Sequence, residues 1–339
     1  MVRSAGSAGS LTVDTAAPDS GRGASLSIRL SAAIVTATIE EPRVLTVRMG
    51  REPIEALPSG PLEVEHRTLE VGLRAWVERQ TGQRLGYVEQ LYTFGDRDRV
   101  ETGEAEPGRA LTVAYLALVR EARPGGAAEA VWQNWYRFFP WEDWRESRPD
   151  IIERDIFPEL TRWAGKTEQP DTARALSRKD RVRLYFGTEG AHWDEERVLD
   201  RYELLYEAGL IEEARRDGRP AALARKSIPY LGIPMRFDHR RILATAIARL
   251  RAKLKYRPVI FELMAPEFTL TELQTTVEAI SGRQLHKQNF RRLVETGALV
   301  EPTGETSTTT GGRPAALFRF RREVLQERPA PGLRVGGRG

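Results

Sequence analysis

The chain has no cysteine in its 339 residues. That excludes disulfides, thiolate zinc sites and a cysteine nucleophile. Histidine is scarce as well. The four present, His66, His192, His239 and His286, show no metal-ligand spacing. His239, beside Asp238, reads as a capping or packing residue at a helix start. No stretch approaches twenty consecutive apolar residues, which excludes a membrane-spanning helix. No Ser/His/Asp arrangement and no phosphate-loop signature occurs. Residues 1–25 are rich in Ser, Gly and Ala and lack an apolar core. They read as a disordered tail rather than a signal peptide, and residues 326–339 as a second tail.

Charge of one sign is also in short supply overall, at a net +4, but it is unevenly placed. Residues 236–328 hold 17 Lys and Arg against 10 Asp and Glu, a net +7, which leaves −3 on the rest. A basic C-terminal region on a slightly acidic body implies a polyanionic partner at one end.

What is present divides by periodicity. Residues 26–48 alternate as strands through Leu26, Ile28 and Leu30, then Val44–Val47. A loop at Leu57–Leu62 leads to a helix that starts at Thr68, runs through Leu69, Leu73, Trp76 and Val77, and closes at Gly82. Strands return at Tyr87–Phe94 and Leu111–Val119, around a polar loop at Gly95–Arg109. A Trp-rich segment spans Trp132–Trp144. Residues 146–231 read as a helical insertion, with a strong period from Asp194 to Ala214. Phe237–Lys255 is a long helix that Asp238 can cap and Pro258 ends. An echo links Glu207–Leu223 with Glu295–Leu317: each has a Glu-x-Gly helix ending followed by Gly-Arg-Pro-Ala-Ala-Leu. It fits either a second winged unit or two independent helix endings.

The C-terminal region carries the sharpest pattern. Thr271 and Gln274 read as a capping box opening a helix over Glu272–Ile280, closed by Gly282. A short turn leads to a second helix, His286–Glu295. Phe290, Leu293 and Val294 fall on one side of it. Lys287, Gln288, Arg291 and Arg292 fall on the other, with Asn289 between the faces. Cations suit phosphates and forked donors suit base edges. Arg292 and Gln288 are the candidate base readers; Lys287 and Arg291 are the candidate phosphate contacts. A hairpin follows, with a small polar tip at Thr303–Gly312. Arg313 at its root is placed to enter a minor groove. The layout is a winged helix-turn-helix, and double-stranded DNA is its expected partner.

The segment Gly60–Gly82 lies where a Nudix box would lie. That box, G-x5-E-x7-R-E-U-x-E-E-x-G-U with U aliphatic, gathers glutamates on one helix to hold magnesium. Anchored on Gly82, the chain has Ala75-Trp76 for Arg-Glu and Arg79-Gln80 for Glu-Glu. Glu78 stays nearby, and Glu63, Glu65 and Glu70 fall outside the pattern. Taken in order, Gln90–Asp96, Tyr115–Leu118, Phe237-Asp238-His239, Phe268–Leu273, Asn289–Arg292 and Gly312-Arg313-Pro314 resemble the Nudix-related transcriptional regulators of bacterial NAD metabolism. The likeness covers residues 28–145 and 232–322.

The resemblance implies an α/β (α+β) Nudix-like sensor at 26–145 with its helical insertion at 146–231. A final linker helix follows at 232–256, then a winged helix-turn-helix at 257–325. It implies a cytoplasmic homodimer that represses NAD synthesis or salvage genes and responds to ADP-ribose, or to another adenine nucleotide such as NAD or ATP. It requires no cofactor. The broken box argues against hydrolysis and leaves nucleotide binding open. In the sensor, Arg97 and Arg99 are the candidate phosphate contacts, and Tyr92 and Phe94 the candidate rings to stack on a base. Ordinary core packing explains those two rings equally well. The enzyme alternative is an active Nudix hydrolase of ADP-ribose-like compounds using Glu63, Glu65 and Glu78.

Overall fold

A computed structural model describes residues 26–48, 54–96, 109–120, 129–166, 176–307, 314–327 and 332–333. The first part is a mixed sheet. Its strands are β1 (Leu26–Ala37), β2 (Pro42–Arg48), β3 (Glu55–Ala56), β4 (Ser59–Pro61), β5 (Tyr87–Phe94), β6 (Arg109–Leu118) and β7 (Glu129–Asn134), with helix α1 (Leu69–Thr81) between β4 and β5. The main order is β3-β2-β1-β6-β5, with β4 on β1 and β7 on β2. β1 and β6 run parallel at the centre, in register from Leu26↔Arg109 to Val35↔Leu118.

The two-residue period of these central strands sorts their side chains into two layers. Leu30, Ala32 and Ile34 of β1, with Val113, Tyr115 and Ala117 of β6, face Leu73 and Val77 of α1. Ala33 and Val35, with Ala114, Leu116 and Leu118, face the opposite way into a larger core. Parallel central strands are buried on both faces, so they read as near-continuous apolar runs. Thr68 accepts a hydrogen bond from the Val71 N–H, and Gly82 closes α1 in the left-handed region, so both helix ends stand where the sequence puts them. The segment 57–62, expected as a loop, contains β4. It pairs with β1 through Ser31↔Ser59, and its shortness hides it from any periodicity.

The second core layer is made by the insertion together with the helix after it. The insertion folds as helices α2 (Phe157–Ala164), entered through a π-turn at Ile152–Ile156, then α3 (Arg178–Phe186), α4 (Val198–Glu207), α5 (Glu212–Arg216) and α6 (Pro220–Leu223). The single period expected over 194–214 is split at Gly209, whose φ of 68° breaks it into α4 and α5. The echo at 207–223 is not a second winged unit: Pro220 opens a helical turn there, where its counterpart at 314 precedes a strand. α4 packs on α7 (His239–Leu254), burying Tyr202, Leu205 and Tyr206 with Ile242, Leu243, Ala246 and Leu250. Asp238 stands at the start of α7 but makes no side-chain cap bond; its carboxylate takes Arg241 instead, at 3.1 Å.

The C-terminal part comprises β8 (Phe268–Thr269), α8 (Leu270–Ser281), α9 (Lys287–Gly297), β9 (Val300–Ser307), β10 (Ala315–Phe320) and α10 (Val324–Glu327), with a small sheet in the order β8-β10-β9. The apolar run at Val259–Glu262 is a 3-10 turn. The capping box exists, but two residues earlier than expected. Thr269 accepts from the Glu272 N–H, and Glu272 accepts from the Thr269 N–H at 2.7 Å. Thr271 and Gln274 fit the same spacing rule, but they already lie inside the helix. The expected tail at 326–339 is not uniform. Leu333 is buried in the main core and its N–H donates to Leu254 O at 2.6 Å. The expected tail at 1–25 lies outside the described residues.

Candidate nucleic-acid interface and sensor face

The helix-turn-helix is built by side chains that fix its turn. Gln274 Nε2 donates to Leu285 O at 2.8 Å, and Glu278 Oε1 accepts from the Leu285 N–H at 2.8 Å. Gly282 begins the turn at φ 75°. A Cβ there would lie 2.4 Å from Glu142 O, so only glycine fits both the conformation and the approach.

The turn sets the angle of α9. Phe290 and Val294 are buried and Leu293 is half-buried, as its apolar stripe requires. Lys287, Gln288, Asn289, Arg291 and Arg292 are all exposed, so α9 presents three cations and two amides on one outward face. His286 at the N-cap makes no side-chain bond to the first turn, so its N–H donors stay open to an anion. The hairpin pairs Ala315↔Ser307 towards the tip and Phe320↔Val300 at the root. Arg313 lies outside the described residues.

A buried ionic network docks this unit on the Nudix-like domain, and it was not legible in the sequence. Glu142 takes Arg201 Nε at 2.6 Å and NH2 at 2.8 Å, and Arg251 NH1 at 2.8 Å. All three residues are at most 1% exposed. Arg251 Nε also donates to Ile280 O at 2.9 Å, where a cation favours the carbonyl end of α8. Tyr136 OH donates to Ala279 O at 2.7 Å, and the Trp144 N–H donates to Gly282 O at 2.7 Å. The Trp-rich segment, the insertion (Arg201) and α7 (Arg251) therefore all meet at the end of α8. Trp density was a visible signal. The pairing of Glu142 with arginines 59 and 109 residues away was not.

On the Nudix-like domain, the positions that a Nudix box gives to glutamates do other work. Gln80 clamps β4 to α1: its Oε1 accepts from the Ser59 N–H at 3.1 Å and its Nε2 donates to Ser59 O at 2.9 Å. Trp76 Nε1 donates to Pro61 O at 2.8 Å, and Arg79 lies over the Trp76 ring. A Cβ at position 60 would fall 2.2 Å from that ring, so Gly60 is what lets the loop close on it. Three of the carboxylates nearby are paired: Glu63 faces Arg79 and the His66 ring, Glu70 faces Arg74, and Glu78 faces Arg84. Among the described residues no three His, Asp or Glu side chains come together to hold a metal ion.

Of the candidate ligand contacts, Phe94 is buried with Arg241 over its ring at 5.0 Å. It packs in the core, the plainer of its two readings. Tyr92, 61% exposed on edge strand β5, is the ring still open to a partner. Arg97 and Arg99 lie outside the described residues. His239 is fully buried and joins α7 to the segment after β3: its Nδ1 accepts from the Leu57 N–H at 2.9 Å. Burial first, then the charges of Arg29, Arg216 and Arg236, hold its pKa down at about 3, so the ring is neutral.

Comparison with known proteins agrees with this geometry. Residues 260–320 match the family model described as the NrtR DNA-binding winged helix domain. The ADPR responsive transcriptional repressor NtrR of Acinetobacter baylyi is 44% identical over 90 residues, which is 26% of this chain and 36% of that protein. The chain thus spans about a third of the length of this curated relative. Shewanella oneidensis NrtR superposes with a TM-score of 0.51 at 19% identity, covering 88% of this chain and 95% of that one. A MutT/nudix family protein from Enterococcus faecalis gives 0.50 at 16% identity, covering 91% and 90%. Residues 260–320 thus resemble the NrtR winged helix domain, and the chain as a whole shares the fold of Shewanella oneidensis NrtR.

Proposed function

We propose that the protein is a DNA-binding transcriptional repressor of NAD biosynthesis or salvage genes, relieved or reinforced by ADP-ribose or another adenine nucleotide. The carrying observation is the outward cationic and amide face of α9 on an NrtR-type winged helix. The repressor and ADP-ribose parts of the reading are supported by the curated relative's description. In this reading Lys287 and Arg291 neutralise phosphates, Gln288 and Arg292 read base edges, and Asn289 and Arg313 assist. The protein acts as a cytoplasmic homodimer, whose paired reading helices meet half-sites about one DNA turn apart.

The sensor binds nucleotide without turning it over. Its box positions carry Ala75, Trp76, Arg79 and Gln80; Trp76 and Gln80 are bonded to β4, and Arg79 lies over the Trp76 ring. Tyr92, Arg97 and Arg99 are the contacts assigned to the ligand. The test is a titration of promoter fragments from NAD genes, with and without nucleotide, in wild type and in Arg291→Ala/Arg292→Ala. Selective binding that a nucleotide alters and the variant abolishes supports the reading. Magnesium-dependent release of a nucleoside monophosphate from ADP-ribose would return the hydrolase reading.

A further inference from the structure

A cleft of about 830 Å³ lies where the sensor sheet, the end of α7 and the winged helix meet. Its walls come from all three. Tyr87 opens β5, Arg120 follows β6, Lys253 and Arg257 flank the end of α7, and Arg319 and Arg322 flank the end of β10. Against these five cations the lining holds one carboxylate, Glu262. Lys253 is shared with Glu89, and Arg319 pairs with Glu301 at 2.6 Å. Arg120, Arg257 and Arg322 are exposed, and among the described residues none has a carboxylate partner.

The apolar lining includes an aromatic group. Phe261 and Phe320 stack at 4.3 Å and 20°, and Tyr87 stands across from them on the sensor side. The hydroxyl of Tyr87 is held by Glu89 at 2.6 Å and by Lys253 Nζ at 3.0 Å, which fixes the ring. A concave site focuses the field of one sign of charge far more than a flat surface does. The volume is that of a small-molecule pocket, roughly 300–1,000 Å³. The cleft is also apart from the sensor contacts: Tyr87 and Phe94 are opposite ends of β5. It is apart from the reading face too, because no α9 residue lines it, and Phe320 lies at the root of the wing hairpin.

We propose that this cleft is a second ligand site, for a nucleoside polyphosphate whose phosphates meet Arg120, Arg257 and Arg322 and whose base packs on the aromatic wall. Phosphate oxygens match guanidinium forks, and the π-face of a base matches Tyr87 and Phe320. Because Arg120 belongs to the sensor and Arg322 to the reader, a ligand joining them binds one relative setting of the two better than others. Its binding is therefore linked to DNA affinity, whatever the sensor pocket itself holds.

The test uses the full chain and isothermal titration with ATP and with inorganic tripolyphosphate. Wild type is compared with Arg257→Ala/Arg322→Ala and with Tyr92→Ala. The replaced arginines are exposed, and circular dichroism confirms that each variant is folded. The expected result, with ADP-ribose present throughout to fill the sensor pocket, is ATP binding that the arginine variant weakens at least tenfold, with tripolyphosphate at least tenfold weaker than ATP. Failure of the sensor reading shows separately, as ADP-ribose binding that Tyr92→Ala leaves intact. Equal ATP affinity in wild type and the arginine variant overturns the proposal, as does equal affinity for tripolyphosphate. A drop in DNA affinity of the arginine variant without any nucleotide would make the cleft a duplex contact, and also overturns it.

Discussion

Replacing Glu142 by Gln keeps the shape of that side chain and removes its charge. The carboxylate receives three short bonds from Arg201 and Arg251, and all three side chains are shut off from water. A hydrogen bond to a charged group contributes about 1.5–3 kcal/mol. The amide oxygen of Gln can still accept one or two of the three, so the lost bonds are not the main cost. The larger cost is two buried guanidiniums left with no carboxylate, and breaking a buried pair from one side costs about 3–5 kcal/mol. We expect Glu142→Gln to lose that amount, a large fraction of the roughly 5–15 kcal/mol typical of a folded protein. Urea unfolding followed by tryptophan fluorescence measures it, since Trp193 lies under Arg201 at 3.8 Å and stacks on Trp144. A triple replacement, Glu142→Met/Arg201→Met/Arg251→Met, removes charge from all partners together and should lie much closer to wild type. A loss below about 0.5 kcal/mol for Glu142→Gln would mean that the buried network holds nothing together, because such a value is typical of surface positions.

Other changes have their own signatures. His239 is held at about 3 in the folded protein, against an ordinary value of 6.5. The unfolded chain therefore takes up a proton that the folded chain refuses. This contribution is fully present above pH 6.5 and is lost as pH falls towards 3, by about 2 kcal/mol at pH 5. Unfolding midpoints of wild type and His239→Gln between about pH 5 and pH 7.5 should diverge by that amount; parallel curves would contradict it. Thr269→Ala should cost about 0.5–2 kcal/mol in chemical denaturation through loss of the capping box, whereas Thr271→Ala should cost much less. Gly282→Ala should destabilise by more than the roughly 1–2 kcal/mol of the left-handed backbone alone, because its Cβ would meet Glu142 O. Differential scanning calorimetry that ranks it with ordinary surface glycines would count against the docking of the turn.

The sheet and the helices were legible where a period runs long enough to be read. β1 opens on the alternation of Leu26, Ile28 and Leu30, β6 is a near-continuous apolar run, and α1 and α7 carry apolar residues at helical spacing between recognisable end signals. The exposed cationic face of α9 was legible for the same reason: eleven residues give three turns, enough to separate Phe290 and Val294 from the cations. Two-residue strands such as β3 carry no period, and β4 is no better, so it reads as loop. The capping box is misplaced in the sequence because Thr269 and Thr271 both precede an acid or amide by three residues, and only tertiary context decides between them. Apart from the density of Trp, what connects the two halves was hidden. Local patterns cannot show that Glu142, Arg201 and Arg251 converge, since each alone reads as a solvated charge. The interdomain cleft is hidden likewise, because its cations come from positions as far apart as Arg120 and Arg322.

Whether α9 reads DNA under nucleotide control is decided by fluorescence anisotropy of labelled promoter fragments from NAD genes, across a salt series and with or without ADP-ribose. We predict selective binding with a steep salt slope that Arg291→Ala reduces by about one ion, and an affinity that ADP-ribose changes. Binding that is unselective, insensitive to Arg291→Ala and Arg292→Ala, and indifferent to the nucleotide would contradict that role for α9.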